Sequence, residues 1–592
     1  MKLSINRNIV WCDLFVQRLS KLGVKYACIS PGSRSTPLTL AFASSGIKTF
    51  QIVDERSSAF FALGLAKKSN TPVAVVTTSG TAVAELYPAI IEAFYQRIPL
   101  IICTADRPSF LQNSGANQTI NQHNIYQNHI RFFVDAGLPD INKLNIAIEL
   151  AEEAVRKSYF TNRGPVHINF PFEKPFEPKS YTDKIDIKNI DRLFRKISFE
   201  LISNKQTKIN FDSLFKKLEK EEKGLILVGF GRYPANFDKL LNDFSKKFGY
   251  PIYIDGSSQM RLNKNLQKNA IENFTSFVRT KDFQKEFDPQ IIIQFGSAPT
   301  SNILLEFFKN SKAEKFIINE FGDRNDPSLS AKNIFAFDPD EFCSALLTKA
   351  GKFKRENSSW IDDFRAMNKI SNGIKKHFIE NASFPFEGRI ILELLKSIPN
   401  KSNLMISNSL PIRDTDFFVS PVDKKINIFT NRGASGIDGI NSTALGIKGA
   451  SYEKTFLLIG DLAFFHDMNG LHNSKKFNLP ITVILIDNSG GGIFESLPIA
   501  HYKEFFKENF QTPLNIDFKP FIKGYGGLYY SVKSWRQFHR KLLSSIENKT
   551  LTVLHLKTNA VDSKTQREKY WAQTAHEVGK YIYEIKNRRD KL

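Results

Sequence analysis

Short apolar runs that end in turn residues recur along the whole chain and alternate with segments of helical character. We predict strands at residues 24–30, 49–53, 72–77, 99–104 and 165–170, then at 224–229, 251–254, 290–295 and 315–319, and finally at 404–407, 426–429, 455–459, 481–486 and 551–556. Strands that alternate with helices form parallel sheets with helices on both faces. The pattern therefore predicts an α/β protein with three doubly wound, mainly parallel-sheet domains.

The length of 592 residues exceeds what one hydrophobic core usually serves, which also favours three domains. A stretch rich in proline and charge at 172–189 and a lysine-rich stretch at 349–382 are the predicted linkers. We therefore place the domains at 1–178, 190–350 and 372–592.

Two of the predicted strands end in polar residues of particular interest. Gly460-Asp461 follows one run and Asn488 follows the next, with a predicted helix at about 462–478 between them. Because such a crossover makes the strands parallel and usually adjacent, Asp461 and Asn488 should emerge at the same sheet edge. Their oxygens suit Mg²⁺, and the following helix N-terminus suits a diphosphate. Either residue alone could equally be an ordinary helix cap or turn residue.

Composition and charge narrow the class of protein. The net charge is +22, but the lysines are spread along the chain and mixed with acids, and there is no zinc-finger or RNA-recognition signature. We expect a solvated lysine-rich surface and no nucleic-acid partner. The four cysteines are scattered, and no apolar run reaches the ~20 residues that span a bilayer. We expect a cytoplasmic protein with reduced thiols and without membrane insertion.

The first block adds a carboxylate and a hydroxyl-rich turn. Glu55 follows a strand and begins a helix with small residues on one face, and the turn at 77–82 (TTSGTA) offers hydroxyls and backbone N–H groups. Together with Gly460-Asp461 and Asn488, this set resembles the thiamine diphosphate enzymes.

Longer motifs resemble one branch of that superfamily. These are residues 30–38 (SPGSRSTPL), 104–108 (TADRP), 115–119 (GANQT), 431–439 (NRGASGIDG) and 460–471 (GDLAFFHDMNGL). They are similar to the 2-succinyl-5-enolpyruvyl-6-hydroxy-3-cyclohexene-1-carboxylate synthases of menaquinone biosynthesis. The resemblance covers essentially the whole chain and is weakest in the middle block.

The resemblance implies a cofactor site with thiamine diphosphate and Mg²⁺, or Mn²⁺ as an alternative metal. Glu55 would hydrogen-bond the pyrimidine ring, so that the cofactor removes its own thiazolium proton. Asp461, Asn488 and the carbonyl of Gly490 would hold the metal. The other cofactor-binding residues implied are Thr78, Ser79, Gly80, Ile437, Gly460, Leu462, Gly492, Ile493, Phe494 and Leu497.

The resemblance also implies the reaction and its substrates. 2-Oxoglutarate would lose carbon dioxide, and the remaining four-carbon unit would add in a 1,4 manner to isochorismate. Both substrates carry two carboxylates, which arginines bind bidentately. The implied substrate-binding residues are Ser33, Arg34, Arg107, Asn117, Gln118, Ser409, Arg413 and Arg432, and Gln118 and Arg413 join Glu55 as catalytic residues.

Two features leave alternatives open. Asn302 and Ile303 stand where relatives often have basic residues, so that role is missing or displaced, for example to Lys309 or Lys312. The nearest alternative function is another thiamine diphosphate-dependent 2-oxo acid decarboxylase or carboligase, and an alternative from another class is a non-catalytic basic protein that binds nucleic acid.

The resemblance further implies a homodimer or homotetramer with active sites between subunits.

Overall fold

Three parallel β-sheets form the framework of the chain in a computed structural model that describes residues 2–186, 206–356 and 358–589. The N-terminal strands are β1 (Lys2–Ile5), β2 (Tyr26–Ile29), β3 (Lys48–Gln51), β4 (Val73–Thr77), β5 (Leu100–Asp106), β6 (Phe133–Asp135), β7 (Val166–Pro171) and β8 (Asp183–Asp186). Strands β2 to β7 form a parallel sheet in the order β3-β2-β4-β5-β7-β6, and β1 pairs with β8 antiparallel.

The middle and C-terminal sheets are also parallel throughout. The middle strands are β9 (Gly224–Val228), β10 (Ile252–Ile254), β11 (Ile291–Phe295), β12 (Glu314–Asn319) and β13 (Asn333–Ala336). The C-terminal strands are β14 (Ser402–Ile406), β15 (Ile426–Phe429), β16 (Thr455–Gly460), β17 (Thr482–Asp487), β18 (Leu528–Ser531) and β19 (Thr552–Lys557). Their orders are β10-β9-β11-β12-β13 and β15-β14-β16-β17-β19-β18, so the N- and C-terminal sheets share one strand order.

Helices cover the faces of these sheets. In the N-terminal domain they are Arg7–Lys21, Thr36–Ser44, Glu55–Ser69, Thr81–Glu85, Tyr87–Tyr95 and Asn145–Val155. Around the middle sheet they are Phe211–Lys220, Phe237–Phe248, Phe274–Phe277, Lys281–Glu286, Asn302–Asn310, Pro339–Ala350 and Ser359–Asn381. In the C-terminal domain they are Glu387–Ser397, Leu410–Phe418, Ile440–Gly449, Asp461–His466, His472–Lys476, Lys503–Phe506, Phe518–Gly524, Trp535–Glu547 and Ala560–Arg589.

The predicted fold class is confirmed, because all strands predicted from the apolar runs are present and each of the three large sheets is parallel. The strand order reverses between β2 and β4 in the first sheet and between β14 and β16 in the third. Ligands of doubly wound folds bind beyond the carboxyl ends of the strands at such reversals. The segments that follow these strands carry several of the predicted site residues, including Arg34, Thr78, Ser409 and Asp461.

The N- and C-terminal domains of one chain share a hydrophobic core. Helix Glu55–Ser69 packs closely on helix Ile440–Gly449: a Cβ built on Gly64 would lie 2.1 Å from the carbonyl oxygen of Thr443, and one on Gly446 would lie 2.0 Å from that of Phe61. Glycine is therefore required on both helices for the backbones to approach this closely. The two domains form one packed unit.

Several local predictions differ from the structure. The segment predicted as one helix at 462–478 contains helix Asp461–His466, a 3₁₀ turn Met468–Leu471 and helix His472–Lys476. The break falls at Asp467, which is fully buried and accepts hydrogen bonds from Ser442 and Ser57 instead of facing solvent in a regular helix. The hydrogen bonds of this buried carboxylate, and not the helical pattern of the sequence, therefore determine where the helix ends.

The predicted linkers also contain regular structure. Strand β8 lies within 172–189, and the 23-residue helix Ser359–Asn381 occupies most of 349–382. The predicted start of the second domain at residue 190 lies outside the described residues, and residue 372 lies inside this long helix. Among the residues that the structure describes, no helix is both long and apolar enough to cross a membrane.

Candidate active site

The metal ligands predicted from the sequence lie together at the carboxyl ends of β16 and β17. These strands are adjacent and parallel, with Gly460 opposite Ile486. Asp461 is 2% exposed, and its Oδ2 accepts a hydrogen bond of 2.7 Å from the N–H of Gly490. Its Oδ1 accepts another of 2.9 Å from the N–H of Leu462. The predicted crossover and its convergence of polar residues are thus present.

The charges around Asp461 suit a bound cation. Burial, together with the neighbouring carboxylate of Asp487, raises the pKa of Asp461 to about 7. Asp487 is itself buried in part, yet its hydrogen bond of 2.9 Å with His555 Nε2 lowers its pKa. A divalent cation stabilises adjacent carboxylates in their ionised form. No cluster of three or more His, Cys, Asp or Glu suited to a metal occurs in the described parts of the chain.

Asn488 follows Asp487 directly at the end of β17. Its Nδ2 donates a hydrogen bond of 2.9 Å to Glu387 Oε1. Backbone conformation shapes the loop around it, since Ser489 has φ 63° and Gly490 has φ 118°. Residues other than glycine rarely adopt such positive φ angles, so the backbone conformation of this loop is tightly constrained.

The remaining predicted cofactor residues of this domain border the same loop. Gly492–Ser496 forms a 3₁₀ turn that contains Ile493 and Phe494, both half-buried. Leu497 is 44% exposed, and Ile437 is half-buried against the core shared by the two domains. An apolar wall made by these side chains stays a prediction.

The N-terminal domain presents Glu55 at the start of its third helix. The carboxyl is half-buried, and burial raises its pKa, helped by the nearby carboxylates of Asp54 and Glu85 and opposed by a backbone hydrogen bond. A carboxyl with a raised pKa holds its proton more readily and can donate it in a hydrogen bond to a ring nitrogen. This is the property that the predicted role requires.

The turn that follows β4 is tightly packed. A Cβ on Gly32 would lie 2.2 Å from the side chain of Thr78, and one on Gly80, which has φ 88°, would lie 3.2 Å from Gln118. The N–H of Gly80 donates a hydrogen bond of 3.0 Å to Gln122 Oε1. Predicted residues from three separate motifs therefore meet here, with Asn117 and Gln118 exposed at the rim.

Buried hydroxyls without a partner mark the same sheet edges. Those at the carboxyl edges of the N- and C-terminal sheets are Ser30, Thr77, Thr78, Ser407 and Thr430. Buried polar groups are normally hydrogen-bonded, so such a cluster points to a polar ligand or to ordered water. The donors present fit a cofactor with a polar ring and a diphosphate.

The four predicted arginines form two pairs of like charge. Burial and the charge of Arg107 lower the pKa of Arg34, and burial and the charge of Arg432 lower that of Arg413. Arg34 donates to the carbonyl of Phe172, and Arg107 donates to Ser79 Oγ.

In the second pair, the partners are again uncharged. Arg413 donates to the carbonyl of Ser409 at 2.8 Å, and Arg432 donates to Asn408 Oδ1 at 3.1 Å. Among the described residues, none of the four guanidinium groups forms a salt bridge with a carboxylate. Partly buried arginines usually have an anionic partner, so two such pairs indicate a site for anions.

The loop that carries Arg432 is fixed from the N-terminal domain. Glu92, which is 2% exposed, accepts hydrogen bonds from the N–H groups of Gly433 at 2.8 Å, Ala434 at 2.7 Å and Ser435 at 3.4 Å. A carboxylate bound by backbone N–H groups is a strong, charge-assisted anchor. Sequence reasoning missed Glu92, because a lone glutamate within a helix gives no signal.

Glu55 and the predicted metal ligands lie on different domains of the chain. Among the described residues, no hydrogen bond or ion pair links Glu55 to Asp461, Asn488 or Gly490. Its neighbours contact the far end of the helix that begins at Asp461: Asp54 accepts from Asn469 at 2.8 Å, and Arg56 donates to the carbonyl of His466 at 3.1 Å. Each domain therefore offers a half-site.

Lys309 and Lys312 are poorly placed to supply the basic contact that Asn302 and Ile303 do not provide. Asn302 begins helix Asn302–Asn310, so Lys309 lies about 10 Å further along it, and both lysines are exposed. A cavity of about 390 Å³ between the three domains is bordered instead by other cations, including Arg97, Arg232 and Arg432. Nothing in the geometry gives either lysine the missing contact.

Comparisons with known proteins agree with this geometry. Residues 11–125 match the thiamine pyrophosphate enzyme N-terminal TPP-binding domain, residues 201–406 match the middle domain of thiamine pyrophosphate enzymes, and residues 422–556 match the C-terminal TPP-binding domain. Thiamine pyrophosphate and thiamine diphosphate are two names for one cofactor.

Curated relatives resemble the chain over nearly its whole length. A protein of Bacillus cytotoxicus is 37% identical over 95% of this chain and 96% of its own. A Geobacillus kaustophilus protein is 35% identical over 97% and 99%, and a Listeria monocytogenes protein is 35% identical over 95% and 96%. All three are named 2-succinyl-5-enolpyruvyl-6-hydroxy-3-cyclohexene-1-carboxylate synthase. The chain is therefore an enzyme that belongs to this synthase family within the thiamine diphosphate enzymes.

Proposed function

We propose that this enzyme decarboxylates 2-oxoglutarate and adds the resulting four-carbon unit to isochorismate, with thiamine diphosphate and Mg²⁺ as cofactors. The observation that carries the proposal is the presence of two pairs of arginines. Among the described residues, the hydrogen-bond acceptors of all four guanidinium groups are uncharged. Two substrates that each carry two carboxylates offer direct partners to these guanidinium groups, whereas pyruvate and an apolar partner offer fewer.

Thiamine diphosphate, when bound, supplies the carbon nucleophile that activates a 2-oxo acid for loss of carbon dioxide. In this proposal Glu55 donates its proton in a hydrogen bond to the pyrimidine ring, which its raised pKa favours. Thr78, Ser79 and Gly80 border that ring with hydroxyl and N–H groups. Ile437, Ile493, Phe494 and Leu497 exclude water on the other side.

The diphosphate and the metal occupy the C-terminal half-site. Asp461, Asn488 and the carbonyl of Gly490 hold Mg²⁺, or Mn²⁺ in its place, with Gly460, Leu462 and Gly492 shaping the surrounding backbone. Hard oxygen ligands with positions left for phosphate and water are the usual choice of Mg²⁺.

The substrate carboxylates bind between the two arginine pairs. Arg34 and Arg107 approach from the N-terminal domain, and Arg413 and Arg432 approach from the C-terminal domain. Ser33, Asn117, Gln118 and Ser409 add neutral hydrogen bonds. In this proposal Gln118, which packs on the Gly80 turn, and Arg413 act during the addition step.

The assembly follows from the separation of the half-sites. We place Glu55 of one chain against Asp461 of a second, so that the smallest active unit is a homodimer, and two dimers can form a tetramer. We also propose that the enzyme acts in menaquinone biosynthesis and is located in the cytoplasm. The proposal includes neither a nucleic-acid partner nor insertion into a membrane.

Substrate choice tests the proposal. Purified enzyme with both cofactors is given isochorismate and either 2-oxoglutarate or pyruvate, and carbon dioxide and the coupled product are measured. We expect product from 2-oxoglutarate alone. Decarboxylation of pyruvate without any product from 2-oxoglutarate would overturn the proposal in favour of another 2-oxo acid decarboxylase.

A further inference from the structure

The amide of Asn488 is oriented by a buried carboxylate. Its Nδ2 donates to Glu387 Oε1 at 2.9 Å. An ionised carboxylate only accepts hydrogen bonds, so the amide nitrogen must face Glu387 and Oδ1 must face away from it. No residue in the described parts of the chain donates to Oδ1. The oxygen therefore remains available as a metal ligand.

Gly492 leaves the space that this orientation needs. A Cβ built at this position would lie 2.5 Å from Asn488 Nδ2 and 3.2 Å from the Cβ of Ala560. Real Cβ atoms are not found this close to their neighbours, so any larger residue would displace the amide. The loop and the carboxylate thus hold Asn488 from two sides.

Glu387 is in turn held by two further residues. It is 2% exposed and lies at the start of helix Glu387–Ser397. Thr558 Oγ1 donates to its Oε1 at 2.8 Å, and Arg567 donates to its Oε2 at 2.8 Å. Both carboxylate oxygens are therefore fixed, which leaves the side chain little freedom to rotate.

Arg567 connects this carboxylate to the helix that carries Arg413. It is 4% exposed and donates to both oxygens of Asp414, at 2.7 Å and 2.6 Å. Burying such charges costs desolvation free energy, and buried ion pairs often add little to stability. Beside a metal ligand, their value lies in orientation, since residues that hydrogen-bond a ligand control how tightly it holds the metal.

We propose that Glu387 is a positioning residue for Asn488, and that Arg567 of the C-terminal helix holds Glu387 in place. Through this chain of contacts, helix Ala560–Arg589 fixes one metal ligand. The inference rests on the proposed function, because it requires Asn488 to bind the metal.

The first test is the affinity for Mg²⁺ at saturating thiamine diphosphate, measured by calorimetry on the intact enzyme. Glu387→Gln should weaken it about tenfold or more, since changes next to a metal ligand typically cost 10- to 100-fold. A glutamine can satisfy Arg567 only by turning its NH₂ group toward Asn488, which then flips and presents nitrogen to the metal.

Exchanging the carboxylate and the amide between positions 387 and 488 tests whether Glu387 positions Asn488 or only supports the fold. In the double variant Glu387→Gln/Asn488→Asp, the new amide donates to the new carboxylate and its oxygen still accepts from Arg567. One aspartate oxygen remains for the metal. We expect the double variant to bind Mg²⁺ more tightly than Glu387→Gln alone, which general damage to the fold would not produce.

Glu393 provides a matched control. It lies on the same helix, is also 2% exposed, and pairs with Arg389, Lys396 and His539 rather than with Asn488. Glu393→Gln should leave the Mg²⁺ affinity unchanged. If Glu387→Gln binds Mg²⁺ as tightly as the wild type, the positioning role is wrong while the proposed function stands. If the wild type itself shows no Mg²⁺-dependent cofactor binding, the proposed function is wrong.

Discussion

At the scale of single residues, the proposed chemistry depends on a carboxyl whose surroundings raise its pKa. Glu55 is half-buried and lies near two other carboxylates, and these conditions raise its pKa. Glu55→Gln keeps the size of the side chain but removes the acidic proton. We expect turnover to fall at least ~100-fold, the usual contribution of a positioned acid or base.

Cofactor affinity should change far less in that variant, because we propose that the diphosphate and metal bind in the other domain. Calorimetry measures the affinity, and product formation measures the turnover. Glu85→Gln is the control: it removes a neighbouring charge from an exposed side chain and should keep most of the activity. Near-normal turnover of Glu55→Gln would refute the assigned role.

Residues in strand-end motifs were predictable from sequence, and residues that support them were not. Asp461 and Asn488 each follow an apolar run, which fixes them at the sheet edge. Glu387 and Glu92 lie within helices and act on residues about 100 and 340 positions away. Only the fold brings such pairs together, so no local pattern could reveal them. Asp487, the last residue of β17, could also have been assigned to the site from the sequence.

At the scale of elements, the helix pair across the two domains is a tightly constrained contact. Gly64→Ala would place a methyl group 2.1 Å from the carbonyl oxygen of Thr443. We expect it to destabilise the fold by ~1–3 kcal/mol, the usual range for overpacking. Thermal unfolding followed by circular dichroism measures the effect as a lower Tm.

Substitution of a second glycine should have the opposite effect on stability. Gly373 lies exposed inside helix Ser359–Asn381, and no neighbouring atom of the described residues lies within 4 Å of the place that an added methyl group would take. Gly373→Ala should therefore stabilise by ~0.5–1 kcal/mol, because alanine loses less backbone entropy in a helix. Equal effects of the two substitutions would contradict the close approach of the paired helices.

Element type was predicted well where an apolar run was long and bounded by turn residues. The strands missed, β1, β6, β8, β13 and β18, have only three or four residues and carry little apolar pattern. The interrupted helix after Asp461 was missed for another reason: Asp467 is buried by contacts from Ser442 and Ser57, which are distant in sequence. Tertiary contacts overrode the local signal there.

At the scale of the whole molecule, the proposed homodimer predicts sites that two chains share, with Glu55 from one chain and Asp461 from the other. Glu55→Gln and Asp461→Ala should each be inactive alone. When the two are co-expressed with different tags and the mixed dimer is purified, one of its sites carries both changes and the other carries neither. A symmetric dimer then regains about half of the wild-type activity. A mixed dimer without activity would show that each chain builds its own site.

The central claim is the bond that the enzyme forms, and carbon-13 NMR tests it most directly. 2-Oxoglutarate labelled at C2 is incubated with isochorismate, thiamine diphosphate, Mg²⁺ and either wild-type enzyme or Glu55→Gln. We predict that the wild type moves the labelled carbon into a ketone bonded to the isochorismate ring, with one carbon dioxide released for each new bond. The variant should give almost none. Label that stays in 2-oxoglutarate, or that appears only in a four-carbon aldehyde, would contradict the account.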